Sequence, residues 1–190
     1  MKILRIGQAT PLCPTTFNKI SDQFRADVYK LFLALAWYTG ERPEAILRIN
    51  VNHVYADVAK RQPRDTVIYP AYNRKDRKTR QVDTHRALKL MLAAYKPPET
   101  GFLFPSLYSA DKHLSRQAVD KAFRRAVKKA GLENQGFSLY SARRGFITRL
   151  NEQGCDIKII QRITGHRSIS SLVRYIEVSD AQLKNAIDNF

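Results

Sequence analysis

Four stretches of the sequence gather side chains suited to a negatively charged ester: TGERPEAILRI at 39–49, NRKDRKTRQV at 73–82, YSARRGFIT at 140–148 and TGHRSISSLVRYIEV at 164–178. Attack on a phosphodiester builds charge on its non-bridging oxygens, and the planar fork of arginine matches that charge. A phenol, with a pKa near ~10, must shed its proton as it attacks, helped by cations and by a nearby acceptor. The tyrosyl ester so formed is close in energy to the bond it replaces, so a hydroxyl can reverse the step without ATP or a metal. The leaving oxygen needs a proton, which a lysine on a hairpin can give as general acid. No P-loop or carboxylate metal cluster accompanies these stretches, and Cys13 and Cys155 read as ordinary free thiols.

Positioning these groups falls to elements that the apolar pattern predicts. Phe17, Ile20, Phe24, Val28, Leu31 and Leu35 recur at three- or four-residue intervals and predict one helix ending at Gly40. Val51 to Val58, Thr66 to Tyr72 and Arg80 to Thr84 are rich in β-branched and aromatic residues, or follow a polar turn, and predict a small antiparallel sheet with a basic hairpin. Ala87 to Tyr95 reads as a helix stopped by Pro97 and Pro98, and Phe102 to Phe104 as a short buried piece. A helix from Ser115 carries Val119, Ala122, Phe123, Ala126, Val127 and Ala130 on its inner face and is closed by Gly131. Helices follow at 141–153, at 156–164 with Asp156 as cap, and at 168–176. Ser179 and Gln182 have capping-box spacing ahead of a last helix with Leu183, Ala186 and Ile187 on one stripe. The expected fold class is mixed and mainly α, a helical domain with a small three-stranded antiparallel sheet. Arg143 and Arg144, if helical, point about 100° apart, so only one can face a shared site. Arg42, just past Gly40, suits the negative end of a helix, and His166 after Gly165 suits a cap.

Together the four stretches resemble the catalytic domain of the tyrosine recombinases, also called phage integrases. The last stretch is the most specific: Gly165 and His166 are followed nine residues after the histidine by Tyr175, with Arg174 before it. Order and spacing agree over roughly residues 17 to 178. The resemblance implies that Arg42 and Arg143 are the catalytic arginines, Lys75 the hairpin lysine, His166 the late histidine and Tyr175 the nucleophile, with Lys78 the alternative to Lys75. It implies no cofactor and no metal. It also implies a chain divided into an N-terminal extension at 1–14, a catalytic domain at 15–178 and a C-terminal helix at 179–190 that docks on a neighbouring subunit or caps its own domain.

Two positions depart from the family pattern. Tyr140 stands where the family usually has histidine three residues before the second arginine. If helical, it shares a face with Arg143 and can hydrogen-bond a phosphate or simply pack, but a phenol carries protons less well than imidazole near neutral pH. Ala45 stands where relatives commonly carry an acid, and Glu44 lies one position early, which loosens Arg42 or moves the supporting job elsewhere. Only about 15 residues precede the first helix, so the separate helical domain that closes the family's DNA clamp is expected to be missing or supplied by another protein.

Charge supports a polyanionic partner. Across 190 residues, 33 Lys and Arg face 17 Asp and Glu, a formal net charge of +16. With no apolar run of roughly 18 residues, a membrane is the weaker choice and double-stranded DNA the stronger. Two basic surfaces are expected to grip DNA phosphates: Lys121, Arg124, Arg125 and Lys128 on the helix from 115, and Arg74, Arg77, Lys78 and Arg80 on the hairpin. The start, MKILRIGQATPLCP, lacks a secretory apolar core, which predicts a cytoplasmic, nucleoid-associated protein. The leading reading is a site-specific recombinase working as a tetramer on DNA, with or without accessory proteins. A type IB topoisomerase-like enzyme and a DNA-binding protein of this fold with weak or lost catalysis are the alternatives.

Overall fold

The structure is a computed structural model that describes residues 8–74, 76–109, 111–175, 184, 187 and 188. Its centre is the helix α2 (Asp27–Thr39), whose run from Leu31 to Trp37 is buried all round. A helix apolar on every side must be wrapped by others. Around it lie α1 (Pro14–Ser21), α3 (Pro43–Leu47), α4 (Arg86–Ala94), α5 (Arg116–Lys129) and α6 (Ser141–Glu152). Phe17 of α1 stacks on Trp37 at 4.8 Å between ring centres, and the Arg149 guanidinium covers the same indole at 3.5 Å. A second, smaller apolar cluster of Ile147, Ile160 and Leu172 joins α6 to α7 (Ile157–Thr164) and α8 (Ile169–Val173).

The single helix expected through residue 40 is two. Phe24 is buried from the turn between α1 and α2, so it keeps the apolar rhythm going without being helical. The expected three-stranded sheet is instead two ladders. β1 (Tyr55–Asp57) pairs with β2 (Gln62–Pro63), and β3 (Thr66–Tyr69) pairs with β4 (Arg80–Asp83), both antiparallel. β1 starts late because Asn50 and His53 close a capping box around a 3-10 turn over Val51–His53. β3 stops at Tyr69 because Pro70 has no N–H to give the ladder.

The C-terminal helices obey their local signals. Ser115 and Asp156 each accept a backbone N–H into the first turn of α5 and α7. α8 ends at Val173, and Arg174 and Tyr175 form a turn beyond it. The capping box at Ser179 and Gln182 lies outside the described residues, as do Ile176, Leu183 and Ala186. Lys184, Ile187 and Asp188 are helical and exposed.

Candidate active site

Two glycines place the ends of α2 and α7 side by side. Gly40 (φ 61°) and Gly165 (φ 66°) are left-handed caps, a conformation that costs other residues energy. A side chain at Gly40 would also strike the ring of Phe146, and one at Gly165 the guanidinium of Arg74.

Arg143 fills the space between those helix ends. It leaves the first turn of α6 inward, is 1% exposed, and donates to Gly40 O at 2.6 Å, Thr164 O at 3.0 Å and His166 Nε2 at 3.2 Å. One guanidinium thus satisfies carbonyls at the C-terminal ends of both α2 and α7, where a cation is favoured. Burial, then the neighbouring Arg42, pulls its pKa down to about 9, which leaves it charged at neutral pH.

The counter-charge is Glu41, a residue the sequence reading passed over. Its carboxylate is 1% exposed and accepts from Arg74 Nη1, from Arg80 Nη1 at 2.8 Å and from the Arg42 backbone N–H at 2.8 Å. The Arg42 and Arg143 guanidiniums each stand 3.8 Å from it. Burial alone would raise its pKa, but Arg80, Arg143 and Arg74 outweigh burial and the net shift is downward. Ala45 is buried in α3, and Glu44 points away to Arg116 at 3.5 Å. The carboxylate that meets the guanidinium cluster is thus Glu41, and Glu44 is turned away from it.

Arg42 lies at the start of α3, as its N-cap, rather than serving only the end of α2. Its half-buried side chain gives the cluster an opening to solvent.

This cluster corrects the expected DNA contacts. Arg74 and Arg80 are buried against Glu41, Arg74 also forks onto Asp76 at 3.0 and 2.7 Å, and Arg80 donates to Thr39 O at 2.6 Å. They brace the site instead of presenting charge to solvent. Arg77 and Lys78 are exposed, and Lys78 lines a cleft of about 550 Å³ with Lys158, Arg162, Arg167 and His166. Lys75 lies outside the described residues. On α5, Lys121, Arg124, Arg125 and Lys128 are all exposed, with Arg124 paired to Asp120 at 2.6 Å and Lys128 to Glu133 at 3.6 Å.

His166 is held from both ring nitrogens. Nε2 faces the Arg143 donor, so it accepts, and Nδ1 is then the protonated nitrogen, donating to Thr164 Oγ1 at 2.6 Å. Thr164 passes its own hydrogen to Ile160 O, also at 2.6 Å. Burial, with Arg143 and Arg42 next, lowers the His166 pKa to about 3. The ring is neutral at pH 7 and is an acceptor rather than an acid. Since an unfolded histidine titrates near ~6.5, the unfolded chain binds more protons below that pH and stability is lost as pH falls from about 6.5 toward 3. Between pH 7 and pH 5 this should amount to about 1–2 kcal/mol. Urea midpoints of the wild type and His166→Gln test it: the variant should lose that part of the pH dependence, and parallel curves would contradict the assignment.

Tyr175 packs its ring 5.3 Å from the His166 ring, and the Arg144 guanidinium lies 5.5 Å from its centre. Tyr140, the N-cap of α6, meets Arg116 at 5.6 Å and lines a pocket of about 320 Å³ together with Tyr175. The structure thus brings Arg42, Arg143, His166, Tyr175 and Tyr140 to one region. Glu41, Thr164 and Arg144 join them. The acid before Arg42 and the doubled arginine at 143 and 144 were the available signals.

Among the described residues no cluster of His, Cys, Asp or Glu could hold a metal ion, and no helix is long and apolar enough to cross a membrane. Residues 15–182 match the phage integrase family, and the chain belongs to that family. Transposase A from transposon Tn554 of Staphylococcus aureus is 27% identical over 172 residues, 85% of this chain and 46% of the relative. Tyrosine recombinase XerD of Staphylococcus saprophyticus is 32% identical over 95 residues, 50% of this chain and 31% of the relative. The structure of the XerH site-specific recombinase superposes with a TM-score of 0.71 over 97% of this chain and 55% of its own, at 19% identity, which establishes the shared fold. The chain spans about half or less of the length of the curated relatives it matches.

Proposed function

We propose that residues 15–178 form the strand-cleaving unit of a site-specific DNA recombinase working through a 3′-phosphotyrosyl intermediate. The observation that carries this reading is the Arg143 guanidinium locked between two helix ends and His166, with the Tyr175 ring against that same histidine. The XerH structure is of a recombinase bound to its difH substrate. The surplus of cations and the exposed basic side chains of α5 support double-stranded DNA as the partner here too.

In this reading the scissile phosphate approaches the side of the cluster where Arg42 meets solvent. Arg143 turns one donor to it, and the His166 bond, the longest of its three, is the one exchanged. His166 Nε2, released and neutral, then accepts a hydrogen bond from the Tyr175 phenol and orients it, while the phenolic proton passes to solvent as the oxygen attacks. The 5′ oxygen leaves with a proton from Lys75 or from Lys78, of which Lys78 lines the adjoining cleft. Tyr140 shares a pocket with Tyr175, which supports a role for it in shaping that side of the site. Strand exchange then uses further subunits on the DNA, four by family resemblance, and the protein acts in the cytoplasm at the nucleoid.

A nicked suicide substrate carrying the protein's own flanking DNA tests the proposal. A covalent protein–DNA band on a denaturing gel is the expected result. No band would leave a DNA-binding protein without catalysis, and supercoil relaxation by the monomer would favour the topoisomerase-like alternative.

A further inference from the structure

The segment from Gln8 to Leu12 is strapped across α6. Thr10 bonds Gly136 O through its N–H and Gln135 O through its hydroxyl, Leu12 N–H donates to Ser141 O at 3.0 Å, and the Leu12 side chain is buried. The strap lies so close that a side chain at Gly145 would collide with Leu12 O. At its outer end, Gln8 Oε1 accepts from Arg144 Nη1. Arg144 is itself 5% exposed, and the other end of its reach is the Tyr175 ring. Gln8, Ala9, Arg144, Arg174 and Tyr175 line one pocket.

Tyr175 needs such a hold. It sits in a turn past the five-residue helix α8, with its N–H bonded to Leu172 O at 2.8 Å. His166 on one side is fixed by Arg143 and Thr164, so the ring's position depends on what holds it elsewhere. A planar guanidinium can stack on the phenol while its fork engages the strap, which a lysine cannot do.

Resting on the recombinase reading, we propose that Arg144 is a positioning residue for the nucleophile, clasped by Gln8, so that the N-terminal strap sets where Tyr175 stands before attack. Misplacing a reacting atom by about 1 Å costs on the order of 100-fold in rate. The hold matters only while Tyr175 is free. Once the phosphotyrosyl bond exists, that bond fixes the residue, and return attack by a DNA hydroxyl no longer needs Arg144.

The test compares the full chain with Arg144→Lys and Gln8→Ala, using the suicide substrate at saturating concentration. Cleavage by Arg144→Lys should slow about 10- to 100-fold. For Gln8→Ala, the loss of one hydrogen bond predicts about 3- to 10-fold. DNA affinity should stay within about 2-fold, well inside the factor of ten that 1.4 kcal/mol represents. Adducts accumulated by long incubation are then given a resealing strand with a 5′ hydroxyl, and rejoining should match wild type. A merely structural role would slow cleavage and rejoining together, and that result overturns the proposal. So does Arg144→Lys cleavage at the wild-type rate, a complete failure of that variant to form adduct, or normal cleavage by Gln8→Ala. Absence of adduct in the wild type would instead overturn the recombinase reading itself.

Discussion

Arg143→Lys should cut single-turnover strand cleavage by about 1,000-fold or more while leaving affinity for duplex DNA nearly unchanged. The guanidinium reaches Gly40 O, Thr164 O and His166 Nε2 in three directions from one plane. An ammonium on a shorter head cannot span those acceptors, so the two helix ends lose their shared donor and His166 its neighbour. The transition state then lacks a preorganised fork where charge develops, and the effect falls on the chemical step. On the proposed reading affinity rests mainly on exposed cations such as Lys121 and Arg125, which the substitution does not touch. Cleavage rate at saturating DNA and a separate binding isotherm check this. A weakened isotherm with normal cleavage would show that Arg143 is only a binding residue.

Glu41→Ala should destabilise the fold by about 3–5 kcal/mol, because it leaves buried guanidiniums without their common carboxylate. Arg74 retains Asp76, and Arg80 retains Thr39 O, but Arg143 and Arg80 remain buried cations facing each other. Glu41→Gln keeps the shape and should lose less stability while still slowing cleavage, since the Arg42 backbone and the fork of Arg143 are oriented by charge. The pH signature is distinct from that of His166. A carboxylate with a lowered folded pKa contributes stability above its unfolded pKa and loses it as pH falls, so the Glu41 contribution fades below about 4.5. The His166 loss begins nearer 6.5. Urea unfolding across pH 3 to 7 reads both, and an unchanged midpoint in Glu41→Ala would contradict the network.

The parts of the site legible in the sequence were those with a fixed spacing. Gly165, His166 and Tyr175 carry their own register, and Gly40 and Gly131 mark helix ends through backbone conformation alone. Charge was harder to read because sequence shows that a cation is present but not which way it points. Arg74 and Arg80 look like an exposed basic hairpin, yet both turn inward because Glu41, more than 30 residues away, offers buried negative charge. Such a long-range pairing leaves no local pattern. Apolar rhythm misled in the same way at Phe24, which reaches the core from a turn. The sheet split into two ladders because backbone pairing, and not composition, decides which strands meet.

In the proposed mechanism Tyr175 is the group that takes the DNA strand. Wild-type protein should be trapped on a suicide substrate, digested with nuclease and trypsin, and the nucleotide remnant located by tandem mass spectrometry. The remnant should sit on the phenolic oxygen of Tyr175, in the peptide that follows Arg174. A remnant on Tyr140, or on any other residue, would contradict it.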